Sequence, residues 1–296
     1  MLCDDRDHEV RLSRILLPVD FSALSKVAAH HARTLASRFH CELVLVHVFE
    51  PRSWDTSGVE AAIPQELYDQ HHAAARRMLY EFCAEELRDL PVRRMLLEGD
   101  VARAILDLAR AEHVDLIVIP SHGYGRFRRL MFGSVAAKIL HEAGCPVLTG
   151  VHFEDISDRD PISFRNIICV TDFDSAGAKV LRWGSEFAAD FNAHLTIVHA
   201  LPGADAGPGQ DVGQTLPAMG QQVPGEGSGE FPGFAGASAD VVLERGPVAE
   251  VVRRTSVSQR ADLVVVGRHE HGGLPGRLNG NAHDVVRESV CPVLSV

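Results

Sequence analysis

Two stretches of this chain carry residue types that do chemistry at fixed spacing. The first is Pro18-Val19-Asp20-Phe21-Ser22, where a lone carboxylate directly follows an apolar run. The second starts at Pro120-Ser121-His122-Gly123-Tyr124-Gly125, passes Arg126, Arg128 and Arg129, and ends at Gly133-Ser134 before a segment of helical period. Glycines let main-chain N–H groups approach an anion closely. A Gly-Ser pair at a helix start adds free donors, a hydroxyl and the favourable end of the helix dipole. Ser121, His122, Gly123, Gly133 and Ser134 therefore form a candidate phosphate cradle, with the arginines as added positive charge. Asp20 follows a central strand and is read as accepting the donors of a ligand, with capping of the next helix as the alternative; for its counterpart Asp172 capping is the better reading.

Such residues need rigid elements behind them, and the chain supplies these twice. Ile15-Leu16-Leu17-Pro18-Val19-Asp20-Phe21 lies against Ile167-Ile168-Cys169-Val170-Thr171-Asp172-Phe173, and Leu43 to His47 against Leu195 to His199, at one offset of 152 residues. Gly99-Asp100-Val101-Ala102 then matches Gly246-Pro247-Val248-Ala249, and Asp115 to Ile119 matches Asp262 to Val266, at an offset of 147. Cys145-Pro146-Val147-Leu148 recurs as Cys291-Pro292-Val293-Leu294. Within each copy, short continuous apolar runs alternate with stretches of helical period, the pattern of doubly buried parallel strands joined by crossover helices. The expected fold class is α/β: two tandem open parallel five-stranded sheets with helices on both faces.

In the first copy the runs predict strands near 13–19, 42–49, 92–98, 115–120 and 146–149, and helices near 23–39, 64–89, 101–112 and 133–143. The expected organisation is a first domain over 1–152, a polar linker over 153–163 and a second domain over 164–296. Residues 202–238 of the second copy are rich in Gly, Pro and Gln and read as a flexible loop in place of the long second helix.

Composition narrows the function. A formal charge of −11 argues against nucleic acid as partner. No apolar run approaches the roughly 20 residues of a membrane span. The charged segment Met1 to Arg14 has no apolar core of a secretion signal, so the expected location is cytoplasmic. The six cysteines include no CxxC pair and read as reduced packing residues. Sixteen histidines include the pairs His30/His31 and His71/His72, but neighbours on a helix point about 100° apart and do not favour one ion. His47 and His199, in apolar strands, read as core histidines with satisfied rings.

With these residues in view, both copies resemble universal stress protein domains over nearly the whole chain. ATP-binding members of that family carry, after strand four, a Gly, two residues, a second Gly, nine residues and then Gly-Ser or Gly-Thr. The first copy keeps this spacing at Gly123, Gly133 and Ser134, with Pro120 in place of the first Gly. The resemblance implies a Rossmann-like fold of the adenine nucleotide alpha-hydrolase type and ATP, with or without Mg, as ligand. It implies that Asp20 recognises the adenine or ribose end, and that Val48 after strand two touches the base through its main chain. In the second copy Gly267 holds the first position, Glu270 replaces the second Gly, and Gly280-Asn281 stands where Gly133-Ser134 would be. A carboxylate in the cradle repels a polyphosphate, so the second copy is expected to be structural, paired with the first as an internal pseudo-dimer through strand five.

The leading expectation is a nucleotide-dependent stress-response or signalling switch with an unidentified protein partner; a homodimer of the whole chain is left open. The alternative is a nucleotide-independent dimerisation or interaction scaffold, and a further one is a slow ATPase. No GxxxxGK followed by Ser or Thr, no GxGxxG after the first strand and no GxSxG occurs, and no residue stands out as a general base, so catalytic residues are not assigned.

Overall fold

The computed structural model describes residues 10–50, 64–120, 133–150, 162–172, 175–201, 239–268 and 280–296. The chain forms two compact units, one containing Arg11–Thr149 and the other Ser163–Val296. Of the expected linker over 153–163, residues 153–161 lie outside the described residues, as does the expected loop over 202–238.

The first unit runs β1 (Arg14–Pro18), α1 (Ala23–Phe39), β2 (Glu42–Phe49), α2 (Gln65–Glu81), β3 (Val92–Glu98), α3 (Val101–Ala111), β4 (Leu116–Val118), α4 (Ser134–Glu142) and β5 (Val147–Thr149). Its strands are all parallel and ordered β3-β2-β1-β4-β5. The second unit repeats this as β6 (Asn166–Val170), α5 (Ser175–Phe191), β7 (His194–Leu201), β8 (Ala239–Arg245), α6 (Val248–Ser258), β9 (Leu263–Val266), α7 (Gly280–Glu288) and β10 (Val293–Ser295). Its order is β8-β7-β6-β9-β10, again parallel. The expected α/β fold class holds in both.

The order itself fixes the helix layers. Successive strands move one way from β1 through β3 and the other way from β4 to β5, and parallel crossovers are right-handed. Helices α1 and α2 therefore cover one face and α3 and α4 the other, where α3 packs on α4. Covered on both sides, Ile15, Leu16, Leu17 and Leu43 to Val46 are completely buried, which is why these strands read as unbroken apolar runs. The outer strand β3 is only half-buried.

Local chemistry sets the ends of the elements. Ser22 caps α1 by accepting the Ser25 N–H at 3.1 Å, and the helix stops at His40, whose φ of 53° is left-handed. Asn192 ends α5 in the same way with φ 51°. The turn from β3 into α3 uses Gly99 at φ 124°, and its counterpart Gly246 has φ 141°, a region that a side chain makes unfavourable. At the opposite edge, Asp115 Oδ2 accepts the N–H groups of Ser13 and Arg14 at 2.7 and 2.8 Å, tying β4 to the start of β1. Asp262 does the same for Arg165 and Asn166 at 2.7 and 2.9 Å.

One expected element is shorter than its pattern. The helix predicted to reach residue 89 ends at Glu81, where Phe82 turns extended and Cys83 takes φ 48°. Leaving the helix buries Phe82, Cys83 and Leu87. The freed carbonyls are satisfied from a distant strand: Arg94 of β3 donates to Leu79 O at 3.1 Å and to Phe82 O at 3.2 Å.

Candidate functional site

In an open parallel sheet, ligands enter where neighbouring connections leave in opposite directions, at the carboxyl ends of the strands. Here that point lies between β1, whose chain departs toward β2, and β4, whose chain departs toward β5. Asp20 follows β1, Val48 sits near the end of β2, Pro120 follows β4 and Ser134 opens α4. The topology thus gathers Asp20, Val48 and the Gly133-Ser134 pair at one edge of the sheet. Ser121, His122, Gly123 and the arginines at 126, 128 and 129 lie outside the described residues.

The Asp20 carboxylate is held by its own turn. Its Oδ1 receives the Ser22 N–H at 3.0 Å and the Ser25 hydroxyl at 2.6 Å, while Ser25 Oγ accepts the Asp20 N–H at 3.1 Å. Capping of α1 falls to Ser22, not to Asp20. Among the described residues, Oδ2 receives no hydrogen bond. Between these two residues Phe21 adopts φ 64°, and its ring lies 4.3 Å from His47 and 5.9 Å from Phe82, centroid to centroid. A left-handed non-glycine residue costs on the order of 1 kcal/mol, so these ring contacts help hold the turn.

Val48 is buried, and its main chain matters more than its side chain. In a parallel strand the N–H and C=O of one residue point to the same side, alternating along the chain. Val46 O accepts the Val19 N–H at 2.9 Å, and Gly99 N–H goes to Phe49 O at 3.2 Å. Alternation therefore turns the peptide groups of Val48 toward the β1 side. The β1 ladder has ended by then, since its last paired residue is Pro18 opposite Val46. A donor and an acceptor face the crevice.

The same alternation locates the departure at Pro120. Ile117 and Ile119 donate to Pro146 O just before β5 and to Leu148 O within it, both at 3.0 Å, so position 120 faces the β1 side. The N–H that proline lacks is a crevice-side donor. At the helix, Gly133 is the N-cap residue of α4 and, having no side chain, leaves the first-turn amides uncapped by its own residue.

His47 belongs to the wall of this region. Its Nδ1 donates to Val19 O at 2.8 Å, and burial pushes its pKa down against the opposing effects of that carbonyl and of Asp20. The ring is held neutral with its Nδ1 proton engaged. His199 repeats the contact to Thr171 O at 2.7 Å. Among the described residues no group of three or more His, Cys, Asp or Glu gathers to hold a metal ion. The five described cysteines are free thiols, and burial raises Cys41 to about 11 and Cys291 to about 12.

Against known proteins, the universal stress protein family matches this chain twice, over residues 12–149 and 163–296. The chain belongs to the universal stress protein family. A universal stress protein of Mycolicibacterium smegmatis is 27% identical over 297 residues, covering 95% of this chain and 96% of the relative. A single-copy universal stress protein of Thermus aquaticus is 35% identical over 137 residues, 45% of this chain and 95% of its own. The crystal structure of a universal stress protein from Archaeoglobus fulgidus superposes with a TM-score of 0.72 at 19% identity, covering 95% of this chain and 97% of that one, and shows the shared fold.

The two copies of this universal stress protein differ at the same edge. Asp172 takes the place of Asp20, but its side chain is 55% exposed and its Oδ1 lies 3.7 Å from His199 Nδ1. One sequence alignment needs correcting. The buried trio Ala136, Ile139, Leu140 of α4 recurs in α7 as Ala282, Val285, Val286, at an offset of 146 and not 147. Ser134 thus stands opposite Gly280, each the first residue of its helix, and Gly133 opposite Asn279. Matching glycine to glycine had shifted the frame by one, because the connection after β9 is one residue shorter. Ser25 was not singled out from sequence, although the spacing Asp20, Ser22, Ser25 was the available signal.

Proposed function

We infer that the first copy binds an adenine nucleotide, ATP with or without Mg, and acts as a nucleotide-dependent switch in a stress response, while the second copy is structural. The observation that carries this is the pairing of the open main-chain donor and acceptor of Val48 with the clamped carboxylate of Asp20 at the switch point of the sheet. An adenine edge offers one acceptor beside one donor to a strand, and a ribose or exocyclic amine offers donors to a carboxylate. The helix amides behind Gly133 offer an anion main-chain donors.

The test is direct. Acid release of small molecules from purified protein, followed by chromatography, is expected to yield adenine nucleotide. Mg-ATP titrated against wild type, Asp20→Ala and Gly123→Glu is expected to stabilise the wild type alone, by about 2.7 kcal/mol at a hundredfold excess over Kd. Melting left unchanged by saturating ATP in all three removes the nucleotide reading. One observation favours the rival scaffold reading: Pro120 withdraws a crevice-side donor. Restoring it with Pro120→Gly is expected to tighten ATP binding; a protein that binds no ATP in either form is a scaffold. Phosphate release that disappears in Gly123→Glu would instead mark a slow ATPase.

A further inference from the structure

We propose that Ser25 is a positioning residue: its hydroxyl clamps Asp20 through Oδ1, leaving Oδ2 as an oriented acceptor for a ligand's hydroxyl or amine, and loss of this serine in the second copy released the matching carboxylate. The ligand's identity rests on the nucleotide reading; the clamp does not. Ser25 is 1% exposed and sits in the first turn of α1, where its hydroxyl donates to Asp20 Oδ1 at 2.6 Å and accepts the Asp20 N–H at 3.1 Å. The Ser22 N–H reaches the same Oδ1 at 3.0 Å. Two donors on one oxygen fix both side-chain torsions of the aspartate. An ionised carboxylate only accepts, so what meets Oδ2 must carry a donor.

The second copy is a natural control. At the offset of 152 that aligns β1 with β6, Ser25 becomes Gly177, which has no hydroxyl. Asp172 there is 55% exposed, and the nearby His199 spends its Nδ1 on Thr171 O at 2.7 Å. The aspartate persists, while the hydroxyl that Ser25 supplies to Asp20 has no equivalent at Gly177. A carboxylate that must be ordered at the moment of binding loses affinity to that ordering.

Two measurements test this on the full-length protein. Amide hydrogen exchange of Ser25→Ala is expected to accelerate at Asp20 by about tenfold, with the sheet amides unchanged, because the substitution removes the hydroxyl oxygen that accepts the Asp20 N–H. Unchanged exchange at Asp20 overturns the clamp whatever the ligand. Calorimetric titration with Mg-ATP then compares wild type, Ser25→Ala, Asp20→Asn and the double variant. Ser25→Ala is expected to weaken binding about tenfold in the wild type and less than twofold beside Asp20→Asn, because its effect passes through the carboxylate. Equal losses in both backgrounds overturn the positioning role. Should wild type bind no ATP while Ser25→Ala still frees the Asp20 amide, the nucleotide reading falls and the clamp stands.

Discussion

In the first copy α1 turns Ala28, Ala29, His31 and Leu35 inward; in the second α5 turns Val180, Leu181, Trp183 and Phe187 inward at the same four positions, all buried. The bulkier helix is accommodated by smaller partners: Ala32 and Leu17 of the first copy become Gly184 and Cys169 in the second. A cβ on Gly184 would stand 1.9 Å from Cys169 Sγ. The amino end of the sheet diverges as far. Arg14, Glu42, Arg93 and Glu112 form a ring of four ion pairs at 2.7, 3.3, 3.2 and 2.8 Å, whereas the described residues of the second copy place there His194 with Asp240 at 3.2 Å, Thr196 bonded to Gln259 at 2.5 Å and Asn166 donating to Arg260 O at 3.2 Å. What survives in both is turn geometry and the side chains that tie the main chain together: the left-handed helix ends, the positive-φ glycines, the two Asp ties and the histidine on the strand-one carbonyl. The fold needs volume, turn geometry and these main-chain ties, and the identity of the other packed side chains is free to drift.

The sharpest way to break this comparison is acid. His31 is buried, its pKa pushed down to about 4 chiefly by burial, and its counterpart is Trp183, which has no proton to take. Since the folded pKa lies below the unfolded one, the stability it contributes is complete above about 6.5 and is lost as pH falls toward 4. The loss is about 3 kcal/mol at one such group. Hydrogen exchange at pH 7 and pH 4.5 is expected to show α1 and the first sheet opening selectively, and His31→Phe is expected to remove the selectivity. A second copy that loosens first would show that the buried histidine does not govern acid stability.

The next effect lies in the second copy alone. Gly184→Ala must displace a buried sulfur, and overpacking of this kind costs about 2 kcal/mol. Adding Cys169→Ala is expected to recover part of that loss, where Cys169→Ala by itself leaves a cavity and destabilises. Denaturant unfolding followed through Trp183 fluorescence reads both. Additive losses in the double variant would mean that the two residues do not share the same space.

Much of this was legible in the sequence for a physical reason. Strands buried on both faces must be apolar throughout, so β1, β2 and β4 and the duplication itself could be read from runs such as Leu43 to His47. Asp20 could be placed at the carboxyl end of the first strand because a lone carboxylate directly follows that apolar run. Other features depend on contacts across the fold. The end of α2 at Glu81 is set by Arg94 from β3, which no local pattern near residue 82 announces. The role of Ser25 depends on a left-handed Phe21, and the crevice-facing amide of Val48 on alternation counted from Val46. The frame of α7 was misread because an identical glycine outweighed the burial period, which only the packed helix reveals.

The smallest predicted effect is the one the two copies should share. Gly99 has φ 124° and Gly246 φ 141°, and a Cβ on Gly99 would meet nothing within 4 Å, while one on Gly246 would meet Val251 Cγ2 at an ordinary 3.5 Å. Neither substitution creates a clash, so any loss in Gly99→Ala or Gly246→Ala is backbone strain alone, about 1 kcal/mol in each. Asparagine tolerates the helix-end geometry of Asn192 at φ 51° but not this region, so Gly99→Asn is expected to cost as much as alanine. Matching losses in the two copies, measured by denaturant unfolding, would show that duplication preserved the turn between the third strand and third helix as a geometric requirement. A loss in one copy only would mean that the other connection relaxes to accept a side chain, and that the backbone has drifted along with the packing.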